Sequence, residues 1–75
     1  MLEKVINALA NQLEVSPDRI TAETNIFEDL GADSLDVAEL IMEMEEELGI
    51  IITDETIHSF VTVGDVASFL EEMTA

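Results

Sequence analysis

Apolar residues recur at intervals of three and four along most of this chain, and this helical spacing restricts the folds that it can adopt. The first series predicts a helix that ends near Glu14 or Val15, because Ser16-Pro17 follows, with an apolar face of Leu2, Val5, Ile6, Leu9 and Leu13. No convincing alternation of apolar and polar residues predicts a strand. We therefore expect an all-α fold.

The helical spacing stops between residues 16 and 33. Turn-forming residues occur here among four apolar ones, which we expect to anchor a long loop to the core: Ile20, Ile26, Phe27 and Leu30. Long loops within small domains are often functional. A second helix is predicted from Ser34 to Leu48, ending before Gly49, and either Asp33 or Ser34 can cap its start.

An apolar link, Ile50-Ile51-Ile52, precedes a short helix predicted from Asp54 to Phe60, with Thr53 or Asp54 as its cap. Thr62 and Asp65 then have the spacing of a capping box. The last helix has an apolar face of Val63, Val66, Ala67, Leu70 and Met73. The prediction is a single domain over residues 1–75, a small bundle of three main helices plus one short helix, with a long loop between the first and second helices.

The charge of the chain limits its partners. Eighteen acidic residues face only Lys4 and Arg19, for a formal net charge of −16. Such a chain lacks the cations that neutralise nucleic acid phosphates, and anionic membranes repel it. It should instead attract proteins with basic surfaces. Without cysteines, a secretory signal or a long apolar run, we expect a cytoplasmic, soluble monomer.

The predicted second helix has two apolar faces. One face is a normal core face of Val37, Leu40, Ile41, Met44 and Leu48, and the other is a stripe of Leu35, Ala38 and Met42 among acidic residues. The stripe could pack beneath the short third helix. Alternatively it could form a docking surface, with a few apolar side chains ringed by negative charge.

Ser34 lies at the start of this helix, between the two apolar faces. A catalytic serine needs a base and a group that orients the base, and the only histidine of the chain, His58, is on the predicted short helix. We therefore expect no enzymatic activity. Taken alone, Asp33-Ser34 before a helix is typical of a cap.

The run from Asp29 to Asp36, Asp-Leu-Gly-Ala-Asp-Ser-Leu-Asp, resembles the attachment motif of acyl carrier proteins, whose core is Asp-Ser-Leu. The resemblance implies that Ser34, flanked by Asp33, Leu35 and Asp36, receives 4′-phosphopantetheine from coenzyme A through a separate phosphopantetheinyl transferase. Acyl chains would then be carried as thioesters on the thiol of this arm, which requires no cysteine in the chain.

The resemblance extends along the whole chain and implies a place in fatty acid synthesis, where the partner enzymes are separate chains with basic surfaces. By position, the residues that would contact those enzymes are Leu35, Asp36, Ala38, Glu39, Met42, Glu45 and Glu46. Similar proteins hold the acyl chain between their helices, and the residues that would line such a cavity, or else form plain core, are Phe27, Leu40, Met44, Ile52, Ile57 and Phe60. No specific metal site is expected, because the sequence contains no calcium-binding loop.

Two other readings of the sequence stay open. The first is a carrier for a polyketide, a specialised lipid or an amino-acyl group, which shares the chemistry but differs in cargo. The second is an unmodified acidic interaction protein that occupies a basic site. The charge permits this second reading, but the motif before the second helix has no explanation in it.

Overall fold

A computed structural model describes residues 1–74 and confirms the all-α prediction. A short 3-10 turn, Pro17–Arg19, follows the first helix. The four α-helices in chain order are α1 (Leu2–Leu13), α2 (Ser34–Leu48), α3 (Asp54–His58) and α4 (Val63–Thr74). The described residues contain no strand, and their one antiparallel bridge joins Asn25 to Thr62.

The core lies between the three long helices. The helix α1 packs against both α4 and α2, and α3 packs against α2. Most of the predicted apolar faces are buried as expected, and the side chains with almost no exposed surface are Val5, Leu9, Ile26, Val37, Leu40, Ile41, Met44, Val63, Val66 and Leu70. A domain of this size buries only about 60% of the surface that its unfolded chain exposes. The core is therefore thin, and α3 adds only a partial cover on one side.

Two details differ from the sequence prediction. The helix α3 ends at His58 and not at Phe60, because the amide and the hydroxyl of Ser59 both donate to the Thr56 carbonyl and close a turn there. Met73 is 44% exposed, although it continues the apolar spacing of α4. It lies in the last turn of α4, beyond the buried part of that helix.

The predicted capping box at the start of α4 is present. The Thr62 hydroxyl accepts a hydrogen bond from the Asp65 amide at 3.2 Å, and Oδ2 of Asp65 accepts from the amides of Val61 and Thr62 at 3.0 Å each. The amides of Thr62 and then of Val61 hold the pKa of Asp65 below its ordinary value of 3.8. The same helix start approaches Ala22 so closely that a Cβ at Gly64 would lie 2.9 Å from the Ala22 carbonyl oxygen.

Because the folded state lowers the pKa of Asp65, its ionised form stabilises the fold above pH 3.8, and this contribution disappears as the pH falls through the lowered pKa. We expect Asp65→Asn to reduce the free energy of unfolding at pH 7 by roughly 0.5–1 kcal/mol, as the loss of a cap does. Glu72→Gln is the matched control, because it removes one charge from an exposed site on the same helix. Urea unfolding at pH 7 and at pH 3 measures both variants. Equal stability of the two variants at pH 7, or a difference that is no smaller at pH 3 than at pH 7, would contradict the assignment.

Candidate functional site

Asp33, and not Ser34, caps the start of α2. Its Oδ1 accepts a hydrogen bond from the Asp36 amide at 3.0 Å, and Oδ2 of Asp36 accepts from the Asp33 amide at 3.2 Å. This reciprocal pair is a capping box made of two aspartates. Ser34 is the first helical residue and is exposed, and its hydroxyl has no hydrogen bond among residues 1–74. The side chain of Ser34 therefore does not cap α2.

The loop before α2 is held by Asn25. The side-chain Oδ1 of Asn25 accepts hydrogen bonds from the backbone amides of Phe27 and Glu28 at 2.9 Å each. The backbone amide of Asn25 donates to Oδ2 of Asp29 at 2.8 Å. This turn in the backbone places Phe27 at the surface, 37% exposed, so the prediction that Phe27 anchors the loop to the core is wrong. Ile20 and Ile26 are buried anchors, and Leu30 is half-buried.

Three further features fix the position of Ser34. The Ala32 amide donates to the Ile26 carbonyl at 3.2 Å, and Ala32 is buried. Gly31 has a φ of 69°, in the left-handed region that glycine adopts most readily, with open space where a Cβ would lie. Nε2 of Gln12 on α1 donates to the Asp36 carbonyl at 2.7 Å, which ties the first turn of α2 to α1. Ser34 is therefore presented from a rigid helix start.

A groove of about 350 Å³ adjoins Ser34 between the start of α2 and α3. It is mostly apolar, and its lining residues are Phe27, Ser34, Leu35, Val37, Ala38, Asp54, Ile57 and His58. Of the six residues predicted to line an acyl cavity, only Phe27 and Ile57 lie in this groove. The other four are buried in the core: Leu40, Met44, Ile52 and Phe60.

The second apolar stripe of α2 is mostly exposed. Leu35 is 65% exposed and Met42 is 61% exposed, so neither packs beneath α3, and only Ala38 between them is half-buried. An apolar stripe that water reaches on a rigid helix is typical of a surface that contacts another molecule. The packing alternative is therefore wrong for Leu35 and Met42, and the docking surface stays a prediction.

The acidic residues beside this stripe differ in their exposure and in their hydrogen bonds. Oε2 of Glu45 accepts a hydrogen bond from the Ile52 amide at 2.7 Å, and Asp36 belongs to the capping box; both are half-buried. Glu39 and Glu46 are exposed, and Glu39 makes only a long contact of 3.4 Å with Nε2 of Gln12. Glu39 and Glu46 are thus the two carboxylates of the stripe that are best placed to meet a partner.

Ser34, Asp54 and His58 line the same groove, which brings together the residue types of a catalytic triad. Among residues 1–74, however, no hydrogen bond joins the side chains of any two of these three residues. The same part of the chain contains no group of three or more histidine and carboxylate side chains that could hold a metal ion. The groove thus has an exposed hydroxyl and apolar walls, without the contacts that activate a nucleophile.

The sequence prediction missed two residues of this site, Gln12 and Asn25. Asn25 stands in a turn-forming stretch, which is a local signal for side-chain bonds to nearby amides. The contact of Gln12 with Asp36 spans 24 positions of the chain, so no local pattern announces it. Among the described residues, no helix is both long enough and apolar enough to span a bilayer.

Comparison with known proteins gives consistent results. The family model for the phosphopantetheine attachment site matches residues 3–70. The acyl carrier protein of Clostridium perfringens is 49% identical over 74 residues, which are 99% of this chain and 97% of the relative. The acyl carrier protein of Bdellovibrio bacteriovorus is 51% identical over 69 residues, which are 92% of this chain and 88% of the relative.

Two solved structures have folds similar to that of this chain. A structure from Mycobacterium tuberculosis, described as that of an acyl carrier protein, has a TM-score of 0.83 and 37% identity, and the alignment covers 97% of this chain and 99% of that one. A second such structure, from Anaplasma phagocytophilum, has a TM-score of 0.86 and 26% identity, with 99% of this chain and 88% of that one covered.

The capping geometry predicts opposite outcomes for two adjacent substitutions. Asp33→Ala removes the cap of α2 and should lower the free energy of unfolding by about 1 kcal/mol. Ser34→Ala removes a hydroxyl without a hydrogen bond at a helical position, where alanine is favourable, so stability should be unchanged or slightly higher. Urea unfolding of both variants checks this pair. A loss of stability in Ser34→Ala as large as that in Asp33→Ala would assign the capping role to Ser34.

Proposed function

This chain belongs to the acyl carrier protein family, and from that premise we propose that Ser34 is the residue to which its 4′-phosphopantetheine arm is attached. Members of this family are carriers and not catalysts, and the arm is the cofactor that the family model describes.

The observation that carries the proposal is the free hydroxyl of Ser34. A separate transferase can modify only a hydroxyl that is exposed, and modification costs no stability when another residue supplies the cap. Gly31 leaves open space beside the site. The amides of Ser34 and Leu35 have no acceptor among residues 1–74, and amides at a helix N-terminus favour a phosphate group. The residues present therefore fit a phosphodiester on Ser34.

The arm supplies a terminal thiol that holds acyl groups as thioesters. The chain contributes the rigid start of α2, which fixes the attachment point, and the charges of Asp33 and Asp36 beside it. Both carboxylates repel a phosphate group, and each is held by the other's amide. By family resemblance, these acids help the transferase and its metal ion to bind.

The groove beside Ser34 is the proposed entrance for the acyl chain. Its volume of about 350 Å³ is at the lower end of the range for small-molecule sites, and apolar side chains from the loop, α2 and α3 line it. Phe27 and Ile57 would meet the acyl chain first. The remaining residues of the predicted cavity lie in the core and would meet only a chain that enters between the helices: Leu40, Met44, Ile52 and Phe60.

The stripe on α2 and its acidic neighbours form the proposed recognition surface, which consists of Leu35, Asp36, Ala38, Glu39, Met42, Glu45 and Glu46. Exposed apolar side chains supply the contact area, and exposed carboxylates direct the encounter. The partners are the phosphopantetheinyl transferase and the enzymes of fatty acid biosynthesis, each with a basic surface. We propose that the chain works in the cytoplasm as a monomeric single domain.

The attachment residue can be identified by intact mass. After incubation with coenzyme A, Mg²⁺ and a broad-specificity phosphopantetheinyl transferase, the native chain should gain the mass of one phosphopantetheine group. Ser34→Ala should gain nothing, and circular dichroism should show that it is folded. A native chain that gains no mass would favour an unmodified acidic interaction protein. A gain on Ser34→Ala would move the attachment to another hydroxyl.

The recognition surface predicts a change in association kinetics. Reversing two of its exposed charges, Glu39→Lys with Glu46→Lys, should slow association with a type II β-ketoacyl synthase about tenfold at low salt and flatten the salt dependence. The matched control is Glu3→Lys with Glu72→Lys, which changes the net charge equally at exposed positions on α1 and α4. Stopped-flow association at several salt concentrations separates the two variants. Equal slowing in both would mean that net charge, and not this surface, directs the encounter.

A further inference from the structure

Ile51 is the most exposed of the large apolar residues in the described chain. Its side chain is 85% exposed, whereas those of its neighbours Ile50 and Ile52 are half-buried and buried. A single exposed apolar residue is normal on a protein surface. At Ile51, however, hydrogen bonds hold the backbone on both sides of the exposed residue.

The link that carries Ile51 is fixed at both ends. The amides of Gly49 and Ile50 donate to the Glu45 carbonyl at 2.9 and 3.2 Å. The Ile52 amide donates to Oε2 of Glu45 at 2.7 Å, and its side chain is buried in the core. With both neighbours held, Ile51 has no nearby core position to occupy. A β-branched side chain on a fixed backbone also has few conformations to lose when it is buried by a partner.

Glu45 places Ile51 beside the recognition surface. Residues three and four apart on a helix share a face, and Ala38, Met42 and Glu45 are spaced by four and three residues. The carboxylate of Glu45 therefore extends from the recognition face of α2 to the amide that follows Ile51. The exposed side chain of Ile51 thus lies one residue before an amide that Glu45 holds, just beyond the C-terminal end of α2.

The negative charge of the chain restricts which kind of molecule can bind to this extended surface. Two copies would bring two net charges of −16 together, and an anionic membrane would be repelled in the same way. A protein with a basic patch is attracted by Glu39 and Glu46. To bury Ile51 as well, that protein needs an apolar recess beside its basic patch.

We propose that Ile51 is an apolar anchor of the recognition surface, and that the enzymes this carrier serves have an apolar recess next to their basic patch. The inference rests on the proposed carrier function and adds a contact outside α2. Its prediction is that Ile51 affects how long a complex lasts, whereas the surrounding carboxylates affect how fast it forms.

The test compares holo-protein variants in binding to a bacterial type II β-ketoacyl synthase by surface plasmon resonance. Ile51→Thr keeps the β-branched shape but removes apolar surface, and it should raise Kd about fivefold to tenfold through faster dissociation, where tenfold corresponds to about 1.4 kcal/mol. Ile51→Val should restore most of the affinity. Met73→Thr is the control, because Met73 is an exposed apolar residue at the end of α4.

Each variant is also analysed by intact mass after the transferase reaction. A failure of the Ile51 proposal can then be distinguished from a failure of the Ser34 assignment. Complete modification with an unchanged Kd in Ile51→Thr would overturn the anchor and leave the carrier function standing. An equal loss of affinity in Met73→Thr would overturn it as well. Sedimentation velocity would assign the surface to a second copy of the chain if the native protein dimerised and Ile51→Thr did not.

Discussion

The structure depends on how the chain accommodates carboxylates that it cannot pair with cations. Only one carboxylate, that of Glu47, meets a basic side chain among the described residues, at 2.8 Å from Nζ of Lys4. Glu71 lies 3.5 Å from the N-terminal ammonium group. Five of the other carboxylates accept hydrogen bonds from backbone amides: Asp29, Asp33, Asp36, Glu45 and Asp65. Charge-assisted bonds of this kind are stronger than neutral ones. They fix helix starts and links where no cation is available.

This use of amides also produces the functional site. Asp33 and Asp36 satisfy each other's amides, so the start of α2 is complete without the hydroxyl of Ser34. Gln12 ties the same turn to α1, and Asn25 holds the preceding loop. The result is an exposed serine on a rigid helix start beside an apolar groove. A modification there alters none of the contacts that hold the fold.

The sequence predicts the helices well, because their spacing and end signals are local. The bounds of α2 and the capping box of α4 follow from residues a few positions apart. Exposure is harder to predict, since it depends on packing between distant segments. Phe27 was expected in the core and lies in the groove, and Met73 was expected in the core but α4 extends beyond it. The exposure of Ile51 within an apolar run likewise follows from the buried anchor at Ile52.

The net charge of the chain opposes the self-association that its exposed apolar surface would otherwise favour. Leu35, Met42 and Ile51 would favour self-association in a neutral protein, because burial of apolar surface is favourable with any partner. A net charge of −16 opposes that association and leaves a basic partner as the favoured occupant. Negative charge thus opposes association with a second copy, while the apolar side chains of the proposed recognition surface would supply contact area with a basic partner. A carrier that must bind many enzymes and release each one benefits from this division, because long-range attraction governs the encounter and a small apolar contact limits the lifetime.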